Sequence, residues 1–239
     1  MSVNANVLPR SGMIGSAAHV ESPARAEICG KRHGWNPRDF AREQIRGLVR
    51  RVFFTNPADS ARQVVFSAAE PGTDVGTICD QVGHALALET SAEIAILSQD
   101  SSAAESGPVV QDGCRHAETA RIRSWSTPLA TNLWLVPELG LRERCPEAAT
   151  SRYWEWALAE LRSDFEYVVI QGLGDGVSSE SALLGQLTDG IILVLEANRS
   201  RRATTRKIKE TLEGTRSRIL GTVLSKRTFP VPEGIYRRL

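Results

Sequence analysis

From about residue 37 to residue 226, short unbroken runs of Val, Ile and Leu alternate with stretches whose apolar residues recur at helical spacing. The runs predict strands at Gln63–Ser67, Glu93–Leu97, Asn132–Val136, Tyr167–Ile170, Gly190–Leu195 and Ile219–Leu224. Between and before them, helices are expected over Asn36–Phe54, Ile78–Leu88, Tyr153–Leu161, Ser179–Leu187 and Thr204–Leu212. Continuous apolar strands are those buried on both faces, so the pattern predicts an α/β fold: a mostly parallel sheet with helices on both faces. Right-handed crossovers then put a ligand crevice at the carboxyl ends of the strands. The stretch from Ser98 to Thr131 is polar and irregular, and no element is assigned to it.

Residues 1–36, rich in Ser, Ala, Gly, Pro and Arg without a sustained period, read as a mobile tail. Residues 37–228 form the domain, and 229–239 a short C-terminal tail. The 239 residues suffice for one domain with a substantial core. A net charge of +1 argues against wholesale nucleic-acid binding, while leaving room for a local basic stretch. Cys29, Cys79, Cys114 and Cys145 make no C-x-x-C pair, and Cys114 with His116 offers only two donors, so no metal site is expected. No apolar run reaches the length of a membrane span, and no signal-peptide pattern opens the chain. The expected location is the cytoplasm, with thiols reduced.

In such a fold the loop after the first strand cradles phosphate. Here it is Pro71, Gly72, Thr73, Asp74, Val75, Gly76 and Thr77, leading into a helix. A working P-loop ends in Gly-Lys-Ser/Thr, whose glycine admits backbone amides to phosphate, whose lysine neutralises it and whose hydroxyl holds magnesium. Those three positions hold Asp74, Val75 and Gly76, and Thr77 stands one residue late. An aspartate there repels a triphosphate, and the neutralising cation is missing. The chain therefore reads as a pseudo-ATPase with no catalytic residue.

Three segments resemble the bacterial tyrosine kinase (BY-kinase) family, a cytoplasmic P-loop branch related to MinD-type ATPases. Ser67-Ala-Ala-Glu-Pro-Gly72 is similar to the family's S-x-x-P-G-E-G-K, and Leu133-Trp-Leu-Val-Pro-Glu-Leu-Gly140 to its L-x-V-L-P-x-G. Leu161-Arg-Ser-Asp-Phe-Glu-Tyr-Val-Val-Ile170, with Leu187-Thr-Asp-Gly-Ile-Ile-Leu-Val194, resembles L-R-x-x-F-D-Y-V-I-I-D-T-P-P … L-V-D-G-V-L-L-V. The likeness runs from about Glu43 to Lys226 and implies a P-loop NTPase-like fold. The departures fall on functional positions. The family's D-x-D is Ser98-Gln99-Asp100 here, leaving only Asp100, and its D-T-P-P has become Gln171-Gly-Leu-Gly174. An amide at Gln171 brings no negative charge to a magnesium ion, so neither ATP nor magnesium is expected as a cofactor.

The resemblance also implies a setting. The family works with exopolysaccharide chain-length regulators, so a membrane-anchored regulator or a catalytically active relative is the expected partner, and a peripheral place at the inner membrane would come through that partner. Glu43 and Arg46, with Arg50 nearby, stand where the family has E-x-x-R-x-x-R for ring-like self-association; the alternative is a surface pair on one helix. The family's tyrosine-rich tail is reduced to Tyr236, an incidental residue or a phosphosite. Gln171-Gly-Leu-Gly-Asp-Gly176 mimics a dinucleotide fingerprint, but the third glycine falls at Val177, and the loop reads as a flexible substitute for a lost metal loop. Arg199–Lys207 is either a solvated helix face or a surface for an anionic partner or membrane headgroup. Trp154, Trp156 and His84 read as structural. Two other functions stay open: a nucleotide-dependent switch, and a MinD-like positioning protein on the membrane.

Overall fold

A computed structural model of the chain describes residues 37–55, 60–99, 121–145, 150–172 and 179–226. The expectations for residues 1–36 and 229–239, for Asp100, for Tyr236 and for most of the 172–176 glycine loop lie outside them.

Helix α1 (Pro37–Phe53) precedes β1 (Gln63–Ala68), α2 (Gly76–Glu89) and β2 (Ile94–Ser98). Then come β3 (Thr127–Ala130), β4 (Leu133–Pro137), α3 (Glu138–Arg142), α4 (Thr150–Asp164) and β5 (Tyr167–Gln171). The chain continues through α5 (Ser179–Leu187), β6 (Gly190–Glu196), α6 (Arg202–Gly214) and β7 (Ile219–Ser225). The strands form one seven-stranded sheet in the order β3-β4-β2-β5-β1-β6-β7. Every pairing is parallel except that of β3 with β4. This is the expected mostly parallel α/β sheet.

Successive side chains of a strand point to opposite faces, and the core divides accordingly. Val65 faces a cluster with Tyr153, Trp154 and Leu161 of α4, Leu184 of α5 and Leu212 of α6. Its neighbours Val64 and Phe66 face Val49 and Phe53 of α1 and Cys79, Val82 and Leu86 of α2. Helices therefore cover both faces, and β1 and β2 are buried along their whole length. The edge strands differ from the expectation of double burial. β7 is only half-buried and β3 mostly exposed, because each has a neighbour on one side alone.

Three elements escaped the hydrophobic pattern, the first a single 3-10 turn over Ile122–Ser124. β3 carries one proline and a single exposed leucine, so it has no alternation to read. α3 is five residues long, too short for helical spacing to show. His84, read as structural, is exposed on α2, and its Nδ1 stands 2.8 Å from the Asp80 carbonyl oxygen. Trp154 and Trp156 pack as expected, Trp154 fully buried with its Nε1 donating to Glu180 at 2.8 Å.

Candidate functional site

The loop between β1 and α2 stands where the fold places a phosphate-binding loop, at the carboxyl end of a central strand. Pro71 and Gly72 make its turn, and Gly72 has φ of 74°, a left-handed conformation that glycine adopts without steric cost. Thr73 folds back and is buried, its backbone N–H and its hydroxyl both donating to the Glu70 carbonyl, at 3.3 and 2.9 Å.

The next two residues decide what the loop can hold. Asp74 Oδ1 accepts the backbone N–H of Thr77 at 3.0 Å, and Oδ2 accepts the Thr77 hydroxyl at 2.7 Å. A carboxylate taking the N–H three residues on is a helix cap, here closing the first turn of α2. It thus uses a donor that a P-loop helix offers to phosphate. The hydrogen bonds from Thr77, backbone first, hold the Asp74 carboxyl below its ordinary range. Val75, at the position of the P-loop lysine, is turned inward and only 3% exposed, within the α1–α2 core.

Residues distant in sequence fasten the loop. Arg199 Nη2 donates to the Pro71 carbonyl at 2.8 Å, and Glu70 Oε1 accepts the backbone N–H of Arg201 at 3.0 Å. Glu196, at the end of β6, pairs with Arg199 at 3.3 Å and with Lys226 at 3.2 Å. Burial pushes the Glu196 carboxyl up, but Lys226 and Arg199 together outweigh it and hold the group below its usual range. The spacing of Arg199 from Pro71 gives no sequence signal, and this clamp was not anticipated.

At the ends of β2 and β5, Gln171 Oε1 accepts the Ser98 hydroxyl at 3.1 Å. The amide oxygen and nitrogen of neighbouring Gln99 are both buried and find no hydrogen-bond partner among the described residues. Gly172 allows β5 to close on β1. Its N–H donates to the Phe66 carbonyl at 2.8 Å, and a Cβ there would lie 2.8 Å from the same oxygen. Among the described residues no cluster of three or more His, Cys, Asp or Glu is placed to hold a metal ion. A magnesium-bound triphosphate needs cations and free amides at the loop and carboxylates opposite. Among the described residues this donor set offers a carboxylate at the loop, a buried valine, a cation, Arg199, already held by Glu196 and the Pro71 carbonyl, and two amide side chains opposite, and it does not fit that ligand.

One further expectation follows from the cap. Asp74→Ala should cost about 1 kcal/mol, or a melting temperature lower by about 2–4 °C. Because the folded-state pKa of Asp74 is depressed, the stabilisation is present above about pH 4 and is lost as pH falls through the folded value. Thermal melts of both proteins should therefore differ at neutral pH and converge in acid.

The three interface candidates separate. Arg50 is engaged within the chain: its Nη2 lies 2.9 Å from Glu89 Oε1 and its Nε 3.3 Å from Oε2, tying α1 to the end of α2. Glu43 and Arg46 are exposed on α1, and no ion pair joins them to each other among the described residues. If this face assembles copies of the chain, wild-type protein should sediment as an oligomer and Arg46→Glu as a monomer. Equal sedimentation of the two would remove α1 from consideration.

No family model matches the chain. Over 74 residues it is 31% identical to the tyrosine-protein kinase CpsD of Streptococcus agalactiae serotype III (strain NEM316), and equally to CpsD of serotype Ia (strain A909). That stretch is 31% of this chain and 32% of each relative, so the match spans about a third of their length. The fold likeness is broader. The chimerical protein CapA2B2 superposes with a TM-score of 0.55 at 18% identity, over 78% of this chain and 85% of that one. The kinase domain of VpsO gives 0.54 at 18% identity, over 80% and 98%. The MinD cell division protein of Aquifex aeolicus gives 0.50 at 12% identity, over 74% and 73%. The chain thus has the P-loop NTPase fold and resembles the bacterial tyrosine kinases.

Proposed function

We propose that this protein works without turning over nucleotide, as an interaction or regulatory partner in the assembly or export of a cell-surface polysaccharide. The observation that carries the first half is the Asp74 carboxylate capping α2 at the place where a P-loop helix meets phosphate. The similarity to tyrosine kinases such as CpsD supports the second half. The sheet, both core layers and the glycine turn persist while the positions of the lysine, the hydroxyl and the magnesium-directing aspartate have changed. A fold kept intact around a changed site suits a binding surface. Its partner is a membrane-anchored chain-length regulator, an active relative, or a second copy of the chain.

Incubation with γ-labelled ATP and magnesium should give neither phosphate release above background nor label on the protein. Turnover abolished by a substitution in residues 71–77 would overturn the reading.

A second reading, a nucleotide-dependent switch, draws on Arg199, whose Nη2 lies 3.5 Å from where a Cβ on Gly72 would stand. That guanidinium supplies a cation at the loop from another element. It is already engaged by Glu196 and the Pro71 carbonyl, which favours the first reading.

A further inference from the structure

Charge is unevenly distributed along this nearly neutral chain. Residues 199–209 hold six cations and no carboxylate, leaving twenty-three cations against twenty-eight carboxylates in the rest. Arg199 is clamped to the first loop, and Lys209 pairs with Glu213 at 3.4 Å. Arg201, Arg202, Arg206 and Lys207 are exposed, and their side chains form no ion pair among the described residues.

The basic run also opposes its own helix. Arg201 precedes α6 without a side-chain cap bond, and the first turn holds Arg202 and no acid. Cations at a helix N-terminus meet the positive end of the dipole, so this arrangement is locally unfavourable. Sequences break such local rules chiefly at functional surfaces. The packing of α6 fits that view. Leu212 alone is fully buried, with Ile208 half-buried against the same core, so most of the rest of the helix is exposed. On one flank of it Arg202, Arg206 and Lys209 follow one another at helical spacing, with Glu213 closing the row.

An exposed apolar side chain stands at the same end and on the same face of the sheet as the start of α6. Thr222 pairs with Leu193, which belongs to the core layer beneath α6, and Leu224, two residues on, pairs with Leu195 and shares that face. Leu224 is 53% exposed near the carboxyl end of β7, the end of the sheet at which α6 begins. Cations without ion-pair partners among the described residues, at one end of the sheet with an exposed leucine, suit a lipid surface, where the charges meet anionic headgroups and the leucine enters the boundary. Nucleic acid would use the cations and leave the leucine in water.

We propose that the α6 face is a docking surface for anionic bilayers. The proposal does not depend on the state of the first loop, so its failure would leave the nucleotide-free reading intact.

The test is flotation of the full chain with vesicles of phosphatidylcholine containing one third phosphatidylglycerol, beside phosphatidylcholine alone and a short DNA duplex. Binding to the anionic vesicles only, weakening steeply with salt, is expected. Arg202→Glu with Arg206→Glu should weaken it by about ten-fold or more, whereas Arg42→Glu with Arg51→Glu, the same charge change on α1, should not. Circular dichroism and a thermal melt check that both variants fold, and the salt dependence of the wild type needs no variant. Absence of binding to anionic vesicles, equal losses in the two variants, or tighter binding to the duplex than to the vesicles would overturn the proposal.

Discussion

Val75→Lys should lower the stability of this protein by about 3 kcal/mol, seen as a fall in melting temperature of about 6–12 °C. On sequence alone this substitution restores the P-loop lysine. In the folded chain Val75 is 3% exposed and belongs to the core layer of Ile78, Cys79 and Val82 beneath α1. The neighbouring Asp74 carboxylate is already taken by the Thr77 N–H and hydroxyl, and an ammonium placed there loses its hydration. Its long stem can carry the charge towards water, which limits the cost below that of full burial. Gln81→Lys, on the exposed side of the same helix, should change stability by less than about 0.5 kcal/mol. Thermal melts of the three proteins make the comparison. Equal stability of wild type and Val75→Lys would mean that the first turn of α2 rearranges readily, and that the loop retains a P-loop conformation it can adopt.

The same geometry bears on repair of the site. Asp74→Gly, Val75→Lys and Gly76→Thr together would recover phosphate affinity only if the loop had kept its shape. The inward position of Val75 and the cap by Asp74 show a loop set differently, with its first turn packed into the core.

The central architecture was legible because it rests on burial. Val64, Val65 and Phe66 are apolar in succession because each faces a hydrophobic layer on one side of the sheet or the other. Helix α5 was read to the residue, Ser179 to Leu187. Edge elements were not legible. β3 buries too little to impose a pattern, and α3 begins directly at the end of β4 and is only five residues long. Its first residue, Glu138, makes an ion pair with Arg142 one turn later, a local contact with no apolar signature.

At the candidate site, residue identity showed what was missing and geometry showed what replaced it. Asp74 was visible as a misplaced charge, while its bonds to Thr77 depend on how the turn closes. Val75 was visible as an absent lysine, while its place in the core depends on the packing of α1 over α2. The clamp of Arg199 on Pro71 and the bond from Arg201 to Glu70 join residues brought together by the adjacency of β1 and β6. Arg50 read as an interface residue by its place in a motif, and pairs with Glu89 because α1 and α2 lie side by side.

The measurement closest to the central claim is a calorimetric titration of the wild-type chain with ATP and magnesium. ATP brings about four negative charges, which a P-loop meets with amide dipoles, a lysine and a metal ion. Here the lysine position is a buried valine, the helix start is capped by Asp74, and Gln171 stands at the position of a magnesium-directing aspartate. Losing one charge-assisted contact costs about 2–5 kcal/mol, and about 4 kcal/mol separates micromolar from millimolar affinity. Two such losses place the dissociation constant beyond about 1 mM. The account predicts heats no larger than dilution at all nucleotide concentrations up to about 1 mM. Saturable binding tighter than about 100 μM, abolished by a substitution in residues 71–77 or at Arg199, would contradict it.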